Sequence, residues 1–252
     1  MSDGPRADAR AARLALERLL ATDAAHFAER LPAGFADAAE RYVELLLEAN
    51  QRLNLTRVVE PEAVARLHLL DALAALPLLD EAGPESALDL GSGGGVPGIV
   101  LALARPDVAW TLVDSVRRKV DAMGSFADSL RLTNVATIAE RAEILGHDPA
   151  HREAYDVVAA RACAALPVLA EYALPLLRAG GSLVAWKGRI SREEMTVGRA
   201  ASALLGGGPP ELRPSGVPSL GDHSFVLVPK VEATPDRFPR RPGQPARRPL
   251  PA

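Results

Sequence analysis

The spacing of hydrophobic residues changes once along this chain, near residue 85. Before that point it follows a helical period. Residues 10–31 set Leu14, Leu16, Leu19 and Leu20 among charges, and residues 35–50 place Phe35, Tyr42, Val43, Leu46 and Leu47 near helical spacing. Asn54-Leu55-Thr56 interrupts the pattern, and Pro61 suits the first turn of a third helix over 61–76. Residues 1–80 are expected to form a helical extension.

After residue 85, short apolar runs alternate with helical stretches. Strands are predicted at 87–90, 110–113, 135–139, 155–160 and 182–186, with helices at 97–104, 116–130, 166–177 and 191–205. A last strand at 223–228 reads as the second arm of a hairpin, behind a glycine- and proline-rich stretch at 206–216. Strands that alternate with helices imply parallel pairing under two helical layers. Residues 81–233 are therefore expected to form a doubly wound, mostly parallel α/β sheet. Residues 234–252 read as a low-complexity, basic, proline-rich tail.

Composition narrows the class. Hydrophobic residues make up 48% of 252, enough for a large core, yet no apolar run is long enough to span a bilayer. Met1 to Arg18 lacks an apolar signal core. Cys163 is the single cysteine, so no intrachain disulfide can form. A soluble, cytoplasmic monomer is expected, with no membrane partner. The net charge of −3 hides an asymmetry: residues 237–252 carry five arginines and no acid, leaving −8 on the remainder. Such a tail either solubilises a poorly ordered terminus or rests on phosphate.

The densest chemistry lies at Asp89-Leu90-Gly91-Ser92-Gly93-Gly94-Gly95-Val96-Pro97-Gly98, between a strand and a helix. Glycine is needed where the backbone turns tightly and a ligand approaches it. Two patterns overlap here. Asp89, Gly91, Gly93 and Gly95 fit D-x-G-x-G-x-G, the methyltransferase form; Gly93, Gly95 and Gly98 fit G-x-G-x-x-G, the dinucleotide form. Asp89 at the strand end can face the amino acid portion of S-adenosylmethionine. Pro97 removes a backbone donor that a pyrophosphate would use. Both features favour S-adenosylmethionine. Asp114, which ends strand two, suits ribose hydroxyls in either class.

Further motifs follow in a fixed order. They are Asn54-Leu55-Thr56, His68-Leu69-Leu70-Asp71, the 89–98 loop, Thr111 to Ser115, Arg117-Arg118-Lys119-Val120, Arg141-Ala142-Glu143, Arg161-Ala162, Trp186-Lys187-Gly188 and Arg237 to Gly243. Over residues 40–250 this set resembles the glucose-inhibited division protein B family, ribosomal small-subunit RNA methyltransferases that form 7-methylguanosine in 16S rRNA. The resemblance implies a class I, Rossmann-like, seven-stranded sheet. It implies S-adenosylmethionine as cofactor, with contacts at Gly91, Val96, Ala142, Glu143 and Arg161 joining Asp89, Gly93 and Asp114. It implies 16S rRNA, or a small-subunit assembly intermediate, as partner. Cys163 departs from the family, where an aromatic often follows Arg-Ala, and the first 30 residues have no clear counterpart.

The N-7 nitrogen of guanine carries a lone pair and no proton, so its methylation needs alignment rather than a general base. The lack of a catalytic histidine or cysteine constellation suits that chemistry, and no metal is called for. Cys163 sits among alanines, without the Pro-Cys of cytosine carbon-5 enzymes, and reads as a small apolar residue. No N-P-P-Y or D-P-P-Y tetrapeptide points to adenine amino groups. Arg117, Arg118, Lys119, Arg141, Arg161 and Lys187 are expected to meet RNA phosphate or the target base. The family match adds Asn54, His68 and Asp71, and the tail adds Arg240 and Arg241. Simpler readings stand beside these: a local His68–Asp71 hydrogen bond, a structural ion pair at Arg161, a snorkelling Lys187 and a solvated Glu143. Two other functions compete. A nicotinamide oxidoreductase lacks its tyrosine–lysine or histidine pair, and a non-catalytic RNA-binding assembly protein would not need the intact acid–glycine loop.

Overall fold

A computed structural model describes residues 4–250. Helix α1 (Pro5–Thr22) buries Leu16 and Leu20, and α2 (Phe35–Leu53) buries Tyr42, Val43 and Leu46, each as one apolar stripe. The predicted 10–31 helix stops at Thr22 and resumes for one turn at Ala25–Ala28; at the break the Asp23 carboxylate accepts the Ser219 amide at 3.0 Å. Asn54 ends α2 in the left-handed conformation, φ 50°, and is exposed there, which gives it a capping task. The third helix, α3, consists of Pro61–Val64, a π-helical turn at Ala65–Leu70, and Asp71–Leu73. Its start is capped by the Glu60 carboxylate on the Glu62 and Ala63 amides.

The sheet comprises β1 (Ser86–Leu90), β2 (Ala109–Asp114), β3 (Val135–Ala139), β4 (Tyr155–Arg161), β5 (Leu177–Lys187), β6 (Glu211–Pro214) and β7 (Ser224–Pro229). Their order is β3-β2-β1-β4-β5-β7-β6. Only β7 runs against its neighbours. Strand five is longer than its predicted 182–186 core, since it continues back through Gly180-Gly181 to pair Leu177 with Tyr155. Between the strands lie α4 (Gly98–Ala104), α5 (Arg117–Leu130), α6 (Ala142–Leu145), α7 (Leu166–Ala173) and α8 (Arg192–Leu204).

Alternation along the strands divides the core in two. Ala87, Val157, Ala159, Val184 and Trp186 face one layer with the helices of residues 5–82; Leu88, Val158, Ala160, Leu183 and Ala185 face the other with α7. This parity places β4 and β5 residues Arg161 and Trp186 on the same side as α2 and α3. The N-terminal helices thus roof one face of the sheet and reach its carboxyl edge.

Residues 234–250 pack rather than trail. Phe238 and Leu250 are buried in the second core, and Arg152 donates to the carbonyls of Phe238 and Thr234 at 2.9 and 2.6 Å. Of the two readings of the tail, the poorly ordered terminus does not match this packing: three backbone carbonyls, at Thr234, Phe238 and Pro239, find partners on the domain.

Candidate active site

The glycine loop is built by its neighbours on both sides. Gly91, Gly93 and Gly95 have φ of 76°, 58° and 96°, where side-chain-bearing residues are strained. The Gly91 and Ser92 amides donate to Val113 O at 2.8 and 3.0 Å, which anchors the loop to β2. Asp89 accepts the Gly98 amide through Oδ2 at 3.0 Å, so the start of α4 is satisfied by a protein carboxylate rather than left open for phosphate. Burial pushes the Asp89 carboxyl up to about 7, against the hydrogen bonds from Gly98 and Ser92. From the roof, Tyr42 donates its hydroxyl to Gly94 O at 2.9 Å while fully buried. Periodicity marked Tyr42 only as core; its polar end is what matters here. Tyr42→Phe leaves that carbonyl unpaired and is expected to cost about 1–3 kcal/mol. It should also loosen S-adenosylhomocysteine binding by calorimetry, and unchanged stability and binding would refute this role.

Three cavities meet at the carboxyl ends of the strands. The first, about 160 Å³, lies between Gly91, Asp114, Ala142, Glu143, Cys163 and Tyr172. The second, about 210 Å³, lies over Gly91 to Gly94 and Val96, under Thr56, His68 and Arg161. The third, about 300 Å³, is enclosed by Asp71, Arg161, Cys163, Trp186, Lys187 and His223. Gly91 is common to the first two, Cys163 to the first and third, and Arg161 and Ala162 to the second and third. Ala162 holds φ at 51°, a strained turn that ends β4 and separates the directions of its neighbours. Adding a Cβ at Gly91 would bring it 3.1 Å from the Cys163 sulfur, inside this junction.

Asp114 closes the first cavity, accepting the Gly93 amide at 3.1 Å and the Val116 amide at 2.9 Å, with Lys119 Nζ 3.7 Å away. Glu143 is buried, not solvated. Its Oε1 accepts from Arg141 at 3.0 Å and from the Gly243 amide at 2.7 Å. Burial alone would raise its pKa, but those hydrogen bonds outweigh it and hold the carboxyl below its usual range.

Arg161 is the hinge of the site. His68 and Asp71 do not bond to each other, as the local-pair reading expected; both turn to Arg161, with His68 Nδ1 3.5 Å from one guanidinium nitrogen and Asp71 Oδ2 3.3 Å from the other. His68 Nε2 lies 2.8 Å from Thr56 Oγ1. Asp71 also takes His223 Nδ1 at 2.9 Å, and its carbonyl accepts Trp186 Nε1 at 2.9 Å. Tyr42, Thr56, Tyr172 and His223 were not singled out as site residues in the sequence. Thr56 did stand inside a recognised motif; the other three carry no motif.

Lys187 is held rather than snorkelling, donating to Ala164 O at 3.0 Å and Glu194 at 2.8 Å. Arg117 and Arg118, which follow β2, and Arg141, which lines the first cavity, are exposed near the same edge, and Arg241 is exposed on the C-terminal segment. Arg240 needs a correction: its guanidinium grips the wholly buried Glu171 at 2.6–3.1 Å, which occupies the donors a phosphate would use. Cys163 is solvent-accessible yet ringed by protein, and burial together with Asp89 and Asp114 pushes its thiol up to about 11. A thiol that stays protonated is a poor nucleophile.

Two buried groups have opposite signs. Burial, then the Arg161 charge, lowers His68 to about 4 from 6.5. The unfolded chain takes up that proton first as pH falls, so His68 makes stability rise with pH between about 4 and 6.5. Asp89, raised from 3.8 to about 7, makes it fall across nearly the same window. Relative to the parent, His68→Gln should therefore lose up to about 1.4 kcal/mol of stability per pH unit as pH rises through this window, and Asp89→Asn should gain as much. Urea unfolding at stepped pH reads both, and equal pH profiles in parent and variants would refute the burial account.

The residues present fit S-adenosylmethionine. Its amino acid end carries one cation and one anion, and the site holds one buried acceptor without a partner, Asp89 Oδ1, and one buried donor without an aligned acceptor, Arg161 Nη1. Acceptors for ribose and apolar walls for a purine line the first cavity.

Fold and site together define a class I S-adenosylmethionine-dependent methyltransferase. Solved structures agree on the fold. The citrinin polyketide synthase CMeT domain superposes with a TM-score of 0.54 at 13% identity, covering 86% of this chain and 69% of that one. A putative S-adenosyl-L-methionine-dependent methyltransferase from Methanococcus maripaludis gives 0.52 at 16% identity, covering 73% and 90%. The profile of the GidB family, rRNA small subunit methyltransferase G, matches residues 36–213. Ribosomal RNA small subunit methyltransferase G of Deinococcus deserti is 46% identical over 207 residues, 82% of this chain and 85% of that one. A Bacillus cereus protein of the same name is 38% identical over 212 residues, 84% and 89%. This chain belongs to the rRNA small subunit methyltransferase G family, and it is an S-adenosylmethionine-dependent rRNA methyltransferase.

Proposed function

We propose that the protein methylates the N-7 nitrogen of a guanine in 16S rRNA, presented as RNA or within a small-subunit assembly intermediate, and that it acts as a cytoplasmic monomer. The junction of the three cavities, shared through Gly91, Arg161 and Cys163, carries this reading. In it, Asp114, Ala142 and Glu143 bind the adenosine portion, and Asp89, Gly91, Gly93 and Val96 shape the loop around the amino acid portion. Bound S-adenosylmethionine supplies an electrophilic methyl group on a sulfonium. The third cavity takes the guanine, unstacked from its neighbours. Lys187, already aimed by Glu194 and Ala164 O, and Arg161, already aimed by His68 and Asp71, orient the base without reorganising. A neutral His68 takes no proton in this scheme, since N-7 has none to give. Among the described residues no helix is long and apolar enough to cross a membrane, which suits an aqueous RNA substrate.

Exposed Arg117, Arg118, Arg141 and Arg241, with the half-buried Lys119, serve the RNA backbone around that base. Asn54 contributes through the shape of its turn. Mapping modified nucleosides in 16S rRNA tests the proposal. Cells lacking this protein should lose one 7-methylguanosine and regain it from a plasmid copy. An unchanged methylation map would refute the substrate assignment.

A further inference from the structure

Residues 238–243 lie outside the first cavity and are bound to two of the elements that line it, α6 and α7. On the α6 side, Glu143 Oε1 accepts the Gly243 amide at 2.7 Å, and His147 Nε2 lies 2.7 Å from Pro239 O. Arg152 bridges Gly146 O and Phe238 O at 2.7 and 2.9 Å. On the α7 side, Glu171 accepts the Arg240 amide at 2.8 Å and its guanidinium at two nitrogens. The next residue after Glu171 is Tyr172, which lines the cavity, as does Glu143. The same short segment therefore holds two wall residues from different helices, Glu143 directly and Tyr172 through its neighbour Glu171.

The chemistry of the anchors is specific. Glu171 is fully buried, and a buried carboxylate left without its guanidinium is costly, so this docking has few alternatives. Exposed arginines lie in the segment, at Arg241, and flank it, at Arg237, Arg247 and Arg248.

We propose that residues 238–243 form a strap whose docking and the filling of the cofactor cavity favour each other, so that cofactor occupancy sets the position of the RNA-facing arginines. Arg240 and Gly243 are then positioning residues for the cofactor wall, not phosphate ligands. Coupling between two binding events is reciprocal: whatever factor the docked strap adds to cofactor affinity, bound cofactor adds to strap docking. The proposal rests on the first cavity being the adenosine site.

Hydrogen exchange on the full chain, with and without S-adenosylhomocysteine, separates the two ideas. The expected result is slower exchange at residues 90–96 and, by about tenfold, at residues 238–244. Protection at 90–96 with none at 238–244 would overturn the strap and leave the cofactor site standing. Protection at neither would overturn both. Kinetics of Arg240→Ala give a second reading. KM for S-adenosylmethionine should rise about tenfold, with partial recovery in Arg240→Lys, while KM for RNA changes less. A rise confined to KM for RNA would overturn the proposal. Should Arg240→Ala fail to fold, the exchange experiment on the unaltered chain decides alone.

Discussion

Arg161→Ala is expected to lower methyl transfer by about 100-fold or more while S-adenosylhomocysteine still binds, weakened about tenfold. The larger effect falls on chemistry because Arg161 borders both the loop cavity and the cavity proposed for the guanine. Its guanidinium is held from two sides, by His68 Nδ1 at 3.5 Å and Asp71 Oδ2 at 3.3 Å, both on one turn of α3. Removing it leaves Asp71 buried with only His223 opposite, so stability should also drop, by about 3 kcal/mol. Arg161→Lys keeps the charge but not the fork that spans both partners, and should lie between the two. Single-turnover methyl transfer and calorimetry measure these quantities. An alanine variant within threefold of the parent would show that the junction is not where transfer occurs.

Gly98→Ala is the second large effect. A Cβ there would stand 2.3 Å from Leu112 Cδ2, 2.6 Å from Asp89 Oδ2 and 2.9 Å from Asp89 Cβ. Leu112 is locked in β2 and Asp89 in β1, so neither can yield cheaply. Overpacking of this kind costs about 1–3 kcal/mol. It also drives the Asp89 carboxylate off the Gly98 amide, and S-adenosylhomocysteine affinity should fall at least about tenfold. Gly93→Ala provides the contrast: its Cβ meets only Gly91 O at 3.9 Å, so the cost comes from φ of 58° and should be nearer 1 kcal/mol. Thermal unfolding and calorimetry rank the two. Equal effects would mean that space at Gly98 is not limiting.

The sheet was legible because strand and helix periods differ, and because acids and glycines punctuate the strand ends. Asp89 and Asp114 could be placed at the carboxyl edge from local pattern alone. What local pattern could not give was partnership across the sheet. His68 and Asp71, three apart, suggested each other, whereas the parity of β4 turns Arg161 between them from another element. Tyr42 looked like one more apolar-stripe residue, since burial of its ring and use of its hydroxyl leave the same mark in a sequence. The tail misled for the opposite reason. Its composition is that of solvated chain, yet Arg240 and Gly243 find buried carboxylates some 70 to 100 positions away. Charge composition reports nothing about a partner so distant in sequence.

Methyl transfer from S-adenosylmethionine to guanine N-7 is proposed to take place at the three-cavity junction. Purified protein, S-adenosylmethionine with a labelled methyl group and small subunits from cells lacking the protein test it directly. Nuclease digestion and mass spectrometry should then find the label as a single 7-methylguanosine in 16S rRNA, formed about 100-fold more slowly with Arg161→Ala. Label in another nucleoside, or equal label with the variant, would contradict the account.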